Sequence, residues 1–178
     1  MSDRSALLDA VPHIQHGFGS KLALLPGHLL PYSATLPEKT QVHGTRIVDV
    51  LQPAQACGEA DGFYTRQPGI LISVLTADCL PVLFSRRDGG AIAAVHAGWR
   101  GLLDGILEQM ASRIRQDGDT ADWVVSIGPA AGPWAATRAR RPGRATASAS
   151  NRLSMDAVPA SGSSLPVSLV FYPARLPG

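Results

Sequence analysis

Three residues along the chain have side chains suited to catalysis and sit in sharply defined settings. They are His43 in Gln41-Val42-His43-Gly44, Cys79 in Thr76-Ala77-Asp78-Cys79-Leu80-Pro81, and His96 in His96-Ala97-Gly98-Trp99-Arg100-Gly101. One thiolate and two imidazoles suit a tetrahedral zinc whose fourth position stays open to water or substrate, the pattern of a catalytic rather than a structural site. Separations of 36 and then 17 residues contain no local ligand motif such as HExxH or CxxC, so the spacing leaves other readings open. The same atoms without a metal make a thiol nucleophile, Cys79, with His96 as its base. A lone cysteine at the end of an apolar strand and a lone histidine also serve as ordinary core residues.

Other candidates carry less. Cys57 lies in a segment with no companion ligand and reads as a structural thiol. His13, His16 and His28 fall in an irregular region, and His16 reaches the site only if the fold brings it there. Asp78 could orient a ligand or move a proton, although alternation along a strand points it away from Cys79. Trp99, in a glycine-rich turn, could stack on a flat substrate or anchor the core. Gly17-Phe18-Gly19 lacks the third glycine and the following helix of a dinucleotide fingerprint, and no Walker pattern occurs.

These residues need elements to bring them together. Residues 1–40 are broken by Pro12, Pro26, Pro31 and Pro37 and read as strands and loops. Ile47 to Leu51 is a short β-branched run, Pro53 to Gly62 a loop, and Ile70 to Leu75 a buried strand. Pro81 interrupts, leaving Val82 to Phe84 as an edge or a second short strand. Arg86-Arg87-Asp88-Gly89-Gly90 is a turn leading into Ala91 to Val95, and together these suggest a hairpin. From Gly98 a helix is expected, with Leu102, Leu103, Ile106, Leu107, Met110 and Ile114 on one face. Trp123 to Ile127 is one more strand. Each of the three candidate ligands then lies where a strand meets a loop, so the expectation is a mixed α/β fold converging them at one sheet edge.

With 178 residues, 45% of them hydrophobic and 17% charged, the chain suits one folded core that needs no disulfide staples. Two cysteines form no disulfide framework and the first residues lack a signal-peptide core, so a cytoplasmic protein is expected. The apolar run Ile70 to Phe84 is shorter than the ~20 residues of a membrane span. The net charge of +2 divides unevenly: residues 1–129 hold 10 Lys+Arg and 13 Asp+Glu, whereas residues 130–178 hold 6 Arg and one acid, Asp156. The folded part is slightly acidic, which argues against a nucleic-acid partner.

The series His16-Gly17-Phe18-Gly19-Ser20-Lys21, Gln41 to Gly44, Glu59 to Thr65, Leu75 to Phe84, Ala93 to Gly101 and Ser126 to Pro129 resembles, in order, the multicopper polyphenol oxidase or laccase-domain family. Members of that family are also known as purine nucleoside phosphorylases. The resemblance covers residues 11–129 and implies a layered α/β/β/α arrangement of mixed sheets. It implies His43, Cys79 and His96 as metal ligands and catalytic centre, generally for zinc, with copper as the alternative. The implied reaction is phosphorolysis of adenosine, inosine, guanosine or methylthioadenosine, with adenosine deamination as a side activity. The partners are then a purine nucleoside and phosphate, in a monomer or homodimer. Lys21 matches the basic residue that helps bind phosphate in the family, where arginine is usual; lysine keeps the charge and loses the bidentate fork.

After Pro129 the pattern lapses: 34 of residues 130–178 are Ala, Arg, Pro, Gly or Ser, and only Val167 to Tyr172 is apolar enough for a strand. Most of this tail is expected to be disordered or poorly packed, leaving residues 1–129 as the catalytic region. One codon choice for Trp134-Ala135-Ala136-Thr137-Arg138, with two bases removed, reads Cys-Cys-Tyr-Glu, the family's usual continuation. The tail therefore reads as a frameshifted or replaced C-terminal part of the fold. Three functional expectations follow from the resemblance: a zinc-dependent phosphorylase, an inactive metal-binding remnant of one, and a copper-dependent polyphenol oxidase.

Overall fold

The computed structural model describes residues 4–19, 23–130 and the backbone of 167–171. Among the described residues, ten strands and three α-helices run in the order α1 (Ala6–Asp9), β1 (Gln15–Phe18), β2 (Glu38–Thr40), β3 (Ile47–Asp49), β4 (Ala56–Glu59), β5 (Gly62–Thr65), β6 (Leu71–Leu75), β7 (Leu80–Arg86), β8 (Ile92–Ala97), α2 (Trp99–Leu103), α3 (Ile106–Arg115), β9 (Trp123–Ile127) and β10 (Val167–Phe171). A 3-10 helix, Gly27–Thr35, lies between β1 and β2. The principal sheet has the order β3-β5-β8-β7-β9, parallel at β3/β5 and antiparallel elsewhere. A second, antiparallel sheet has the order β1-β10-β6, and β2 pairs with β4 in a short parallel ribbon.

Alternation along the strands builds the layers. On β8, Ala93, Val95 and Ala97, with Ala91 just before the strand, join a cluster with Ile106, Met110 and Ile114 of α3, while Ile92 and Ala94 face the other way and pack with Phe18, Phe63, Ile72 and Val74. Period-two side chains thus give the principal sheet one face for α3 and one for the second sheet. On β6, Leu71 turns outward instead, to Leu29 and the neighbouring Leu25, Tyr32 and Leu36 around the 3-10 helix. The result is a helix, sheet, sheet, helix stacking, the mixed α/β architecture expected from the sequence.

Several elements differ from the sequence reading for identifiable reasons. The long helix is broken: Gly105 sits at φ 87°, which ends α2 and restarts α3, and Leu103 is left 78% exposed. Residues 27–35 form a 3-10 helix despite Pro31, opened by the Leu29 N–H donating to the Pro26 carbonyl at 2.9 Å. The 53–62 segment contains β4, bonded to β2. Pro81 does not confine β7 to an edge; it is the second residue of a strand lying between β8 and β9, and its carbonyl accepts the Gly128 N–H at 2.9 Å. The β7–β8 hairpin and the strand at 123–127 are present as expected. Val167–Phe171 is a strand, and it is the central one of its sheet. The remainder of the tail, residues 131–166 and 172–178, lies outside the described residues, as does Lys21. No described helix is long and apolar enough to cross a membrane.

Candidate metal centre

His96 is the next-to-last residue of β8, on the same face as Ile92 and Ala94, and is 3% exposed. Cys79 immediately precedes β7, whose Pro81 pairs with His96 across the hairpin. His43 lies in the turn after β2 with φ 60°, a left-handed conformation uncommon for a residue with a Cβ. One donor atom from each of the three lies within 4.8 Å of the others, and the two imidazole rings meet edge to face with centroids 4.7 Å apart. Gly98 makes the convergence sterically possible, since a Cβ there would stand 2.8 Å from His43 Cδ2 and 3.3 Å from Cys79 Sγ.

Two further residues hold these segments in place. The β5–β8 register pairs Gly62 with Val95, so the next cross-strand pair is Asp61 with His96; the His96 N–H donates to the Asp61 carbonyl at 2.7 Å. Their side chains share one face of the sheet, and Asp61 Oδ1 lies 2.7 Å from His96 Nδ1. The same carboxylate, 0% exposed, accepts backbone N–H groups from Val42 (3.1 Å), His43 (3.0 Å) and Gly44 (2.8 Å). Gln41 completes the positioning: its side-chain amide donates to the Leu75 carbonyl and accepts the Leu75 N–H, both at 2.8 Å. That pair mimics a strand partner and fixes the His43 turn to the end of β6, one short loop before Cys79.

The electrostatics suit a cation. The Cys79 thiol is pushed up by burial, then by the Asp78 and Asp61 carboxylates. Those influences oppose a free catalytic thiolate, which requires a positive environment, and they favour a bound cation that displaces the thiol proton. Burial lowers the His96 pKa, against the opposing pull of Asp61, and so keeps the imidazole neutral as a metal ligand requires. With Nδ1 engaged by Asp61, the Nε2 lone pair is the one left for a metal, the arrangement of a carboxylate–histidine–metal triad. The donor set and its surroundings therefore fit a zinc-type divalent ion.

The remaining candidates lie elsewhere. His16 is buried under the amino-terminal segment, with Nε2 accepting the Ser5 N–H at 2.8 Å. His28 reaches the His16 carbonyl at 3.1 Å, and His13 is exposed. Cys57 is buried on β4 with Gln55 beside it. Asp78 is exposed, and Trp99 opens α2 half-buried, with the Arg100 guanidinium 5.2 Å from its ring. Asp61 and Gln41 are the residues sequence reasoning passed over. The signal for Asp61 was a carboxylate directly before a glycine-initiated strand, which acquires meaning only once β5 is known to pair with β8.

Residues 28–157 match the family model described as multi-copper polyphenol oxidoreductase laccase. The chain belongs to this laccase family. Among its curated relatives, a purine nucleoside phosphorylase of Haemophilus influenzae is 45% identical over 94 residues, covering 53% of this chain and 37% of that protein. The Escherichia coli (strain K12) purine nucleoside phosphorylase YfiH is 41% identical over 105 residues, covering 57% of this chain and 42% of that protein. The chain thus matches about two fifths of the length of these relatives. Among solved structures, the Bacillus licheniformis hypothetical protein YfiH superposes with a TM-score of 0.58 at 26% identity, over 66% of this chain and 58% of that one. YlmD from Geobacillus stearothermophilus shares the fold at a TM-score of 0.68 and 18% identity, over 93% of this chain and 94% of that one.

Proposed function

We propose that this chain carries the metal centre of a zinc-dependent purine nucleoside phosphorylase, converting adenosine, inosine, guanosine or methylthioadenosine and phosphate to the free base and the corresponding pentose 1-phosphate. The observation that carries the reading is the convergence of His43, Cys79 and His96 donors within 4.8 Å. The names of relatives at 41–45% identity support the substrate class.

In this reading His43, Cys79 and His96 hold the zinc, which supplies Lewis-acid stabilisation of developing negative charge. Asp61 keeps the His96 proton on Nδ1 and so holds the ring in its ligand orientation. Gln41 maintains the approach of the His43 turn to the Cys79 loop. Lys21, the family's phosphate-binding position, offers one cation to the attacking phosphate, without the fork that arginine would present. A phosphate oxygen bonds to the anomeric carbon as the carbon–nitrogen bond breaks, and the purine leaves with the electron pair and takes up a proton. Adenosine deamination at the same centre is a side activity within this proposal.

The decisive assay is phosphate-dependent release of hypoxanthine from inosine by the purified chain, repeated with Cys79→Ala, alongside metal analysis. Release that needs phosphate and is lost in the variant is expected, with zinc bound. Release undiminished in the variant refutes the metal-centred reading, and bound copper with phenol oxidation transfers the assignment to an oxidase. The composition of residues 130–178, of which 34 are Ala, Arg, Pro, Gly or Ser, favours one second reading, a metal-binding remnant. That reading requires zinc uptake without turnover of any of the four nucleosides.

A further inference from the structure

We infer that Asp61 is the positioning residue that sets this site's affinity for a zinc-type divalent cation, by aiming two of the three ligands before any metal arrives. The inference rests on the metal-centred reading above and assigns it a residue that is not itself a ligand.

The carboxylate is fully buried and its hydrogen-bonding capacity is full. Oδ1 accepts His96 Nδ1–H at 2.7 Å and the His43 N–H at 3.0 Å, while Oδ2 accepts the Gly44 N–H at 2.8 Å and the Val42 N–H at 3.1 Å. Four donors on two oxygens is what an ionised carboxylate can satisfy and a neutral amide cannot. Three successive backbone N–H groups converging around a left-handed residue form an anion-binding concavity. Here the anion belongs to the chain, and it offsets the cost of holding His43 at φ 60°. The other end of the same carboxylate orients His96 from the neighbouring strand. A single rigid group thereby sets the relative placement of two ligands that lie 53 residues apart in sequence.

Asparagine at this position has one acceptor oxygen. If that oxygen faces His96, the amide NH2 meets the Val42 and Gly44 donors. If it faces the turn, the NH2 donates to His96 Nδ1, which moves the ring proton to Nε2 and blocks the ligand lone pair. Either orientation opposes metal binding.

The test titrates Co(II) into the metal-free full-length chain, reading the thiolate-to-cobalt absorption, for wild type, Asp61→Asn and Asp61→Glu. In parallel, nitrogen-15 NMR of metal-free wild type reads which His96 nitrogen carries the proton. Wild type is expected to bind one cobalt with the His96 proton on Nδ1, and both variants to bind at least about 10-fold more weakly. Asp61→Asn binding as tightly as wild type overturns the inference and leaves the metal reading intact. So does a wild-type proton on Nε2, a result that stands even if neither variant folds. A wild type that takes up no cobalt refutes the inference together with the reading it rests on.

Discussion

Gly98→Ala separates the site's geometry from the fold's stability. Gly98 has φ −70° and ψ 161°, which alanine adopts without strain, so the backbone cost is small. The added methyl carbon would lie 2.8 Å from His43 Cδ2, where ordinary contact begins at 3.4 Å, and 3.3 Å from Cys79 Sγ. The imidazole must therefore retreat by about 0.6 Å, close to the ~0.5 Å tolerance within which a metal constellation works. His43 is exposed, so its ring can move without disturbing the core. The fold should lose no more than about 1 kcal/mol, the small end of overpacking costs. Metal affinity should fall by roughly 10-fold, a loss of about 1.4 kcal/mol concentrated on a single ligand. Cobalt titration measures the affinity, and thermal melts of the metal-free protein measure the stability. Gly27→Ala is the control, because a Cβ there meets nothing within 4 Å. Unchanged cobalt affinity in Gly98→Ala would refute the claim that His43 is held in the metal-binding position, whatever the melting temperature does.

Gln41→Ala removes both bonds to Leu75. At about 1 kcal/mol of net worth it is expected to weaken metal binding roughly 5-fold, read by zinc competition against a chromogenic chelator. Affinity equal to wild type would show that the Cys79 loop and the His43 turn are docked by other means. Lys39 gives a test away from the site. Its ammonium donates to Ser73 Oγ at 2.8 Å and lies 4.9 Å from the Phe63 ring centroid. Burial draws its pKa down from 10.5 to about 8, with Cys57 opposing weakly. The folded protein loses this proton before the unfolded chain does, so the Lys39 contribution to stability rises between about pH 8 and 10.5 and is lost as the pH falls through 8. Lys39→Met should therefore be more stable than wild type at pH 7, by roughly 1–3 kcal/mol, with the difference shrinking through that window. Denaturant melts at pH 7 and pH 10 check the sign, and a variant less stable at pH 7 would reverse the argument.

What the sequence disclosed depended on whether the determining interaction was local. The β7–β8 hairpin was legible because Asp88-Gly89-Gly90 sits between two apolar runs, and Trp123 to Ile127 was legible because its apolar run is bounded by turn residues. His43, Cys79 and His96 were legible as donor types, and the motifs around them, in order with three others, carried the resemblance. The break at Gly105 was not legible, because helical periodicity continues through it and one isolated glycine is tolerated in many helices. The β2–β4 ribbon was hidden because Ala56–Glu59 has one buried residue, Cys57, and no apolar alternation. Asp61 and Gln41 were hidden for the deepest reason. Each acts on a partner 34 or 35 residues away, across strand pairings that no local pattern encodes.

The three candidate ligands differ in what holds them, and that difference orders the site. His96 alone stands within a strand, at the end of β8 in the middle of the five-stranded sheet, so its backbone is as rigid as the core itself. Cys79 and His43 stand on turns and borrow rigidity. His43 takes it from Asp61, which is bonded to His96, and from Gln41, which is bonded to Leu75. Leu75 is the last residue of β6 and pairs in register with Val167 of β10 on its other side. Thr35 Oγ1 accepts the Leu71 N–H at 2.9 Å, so Thr35 and Gln41 together cover the outer edge of β6 at both ends. The strand that anchors the Gln41 contact is thus itself held from one side by side chains and from the other by Val167–Phe171. Through β6, the apolar run of the atypical tail supports the same turn that presents His43.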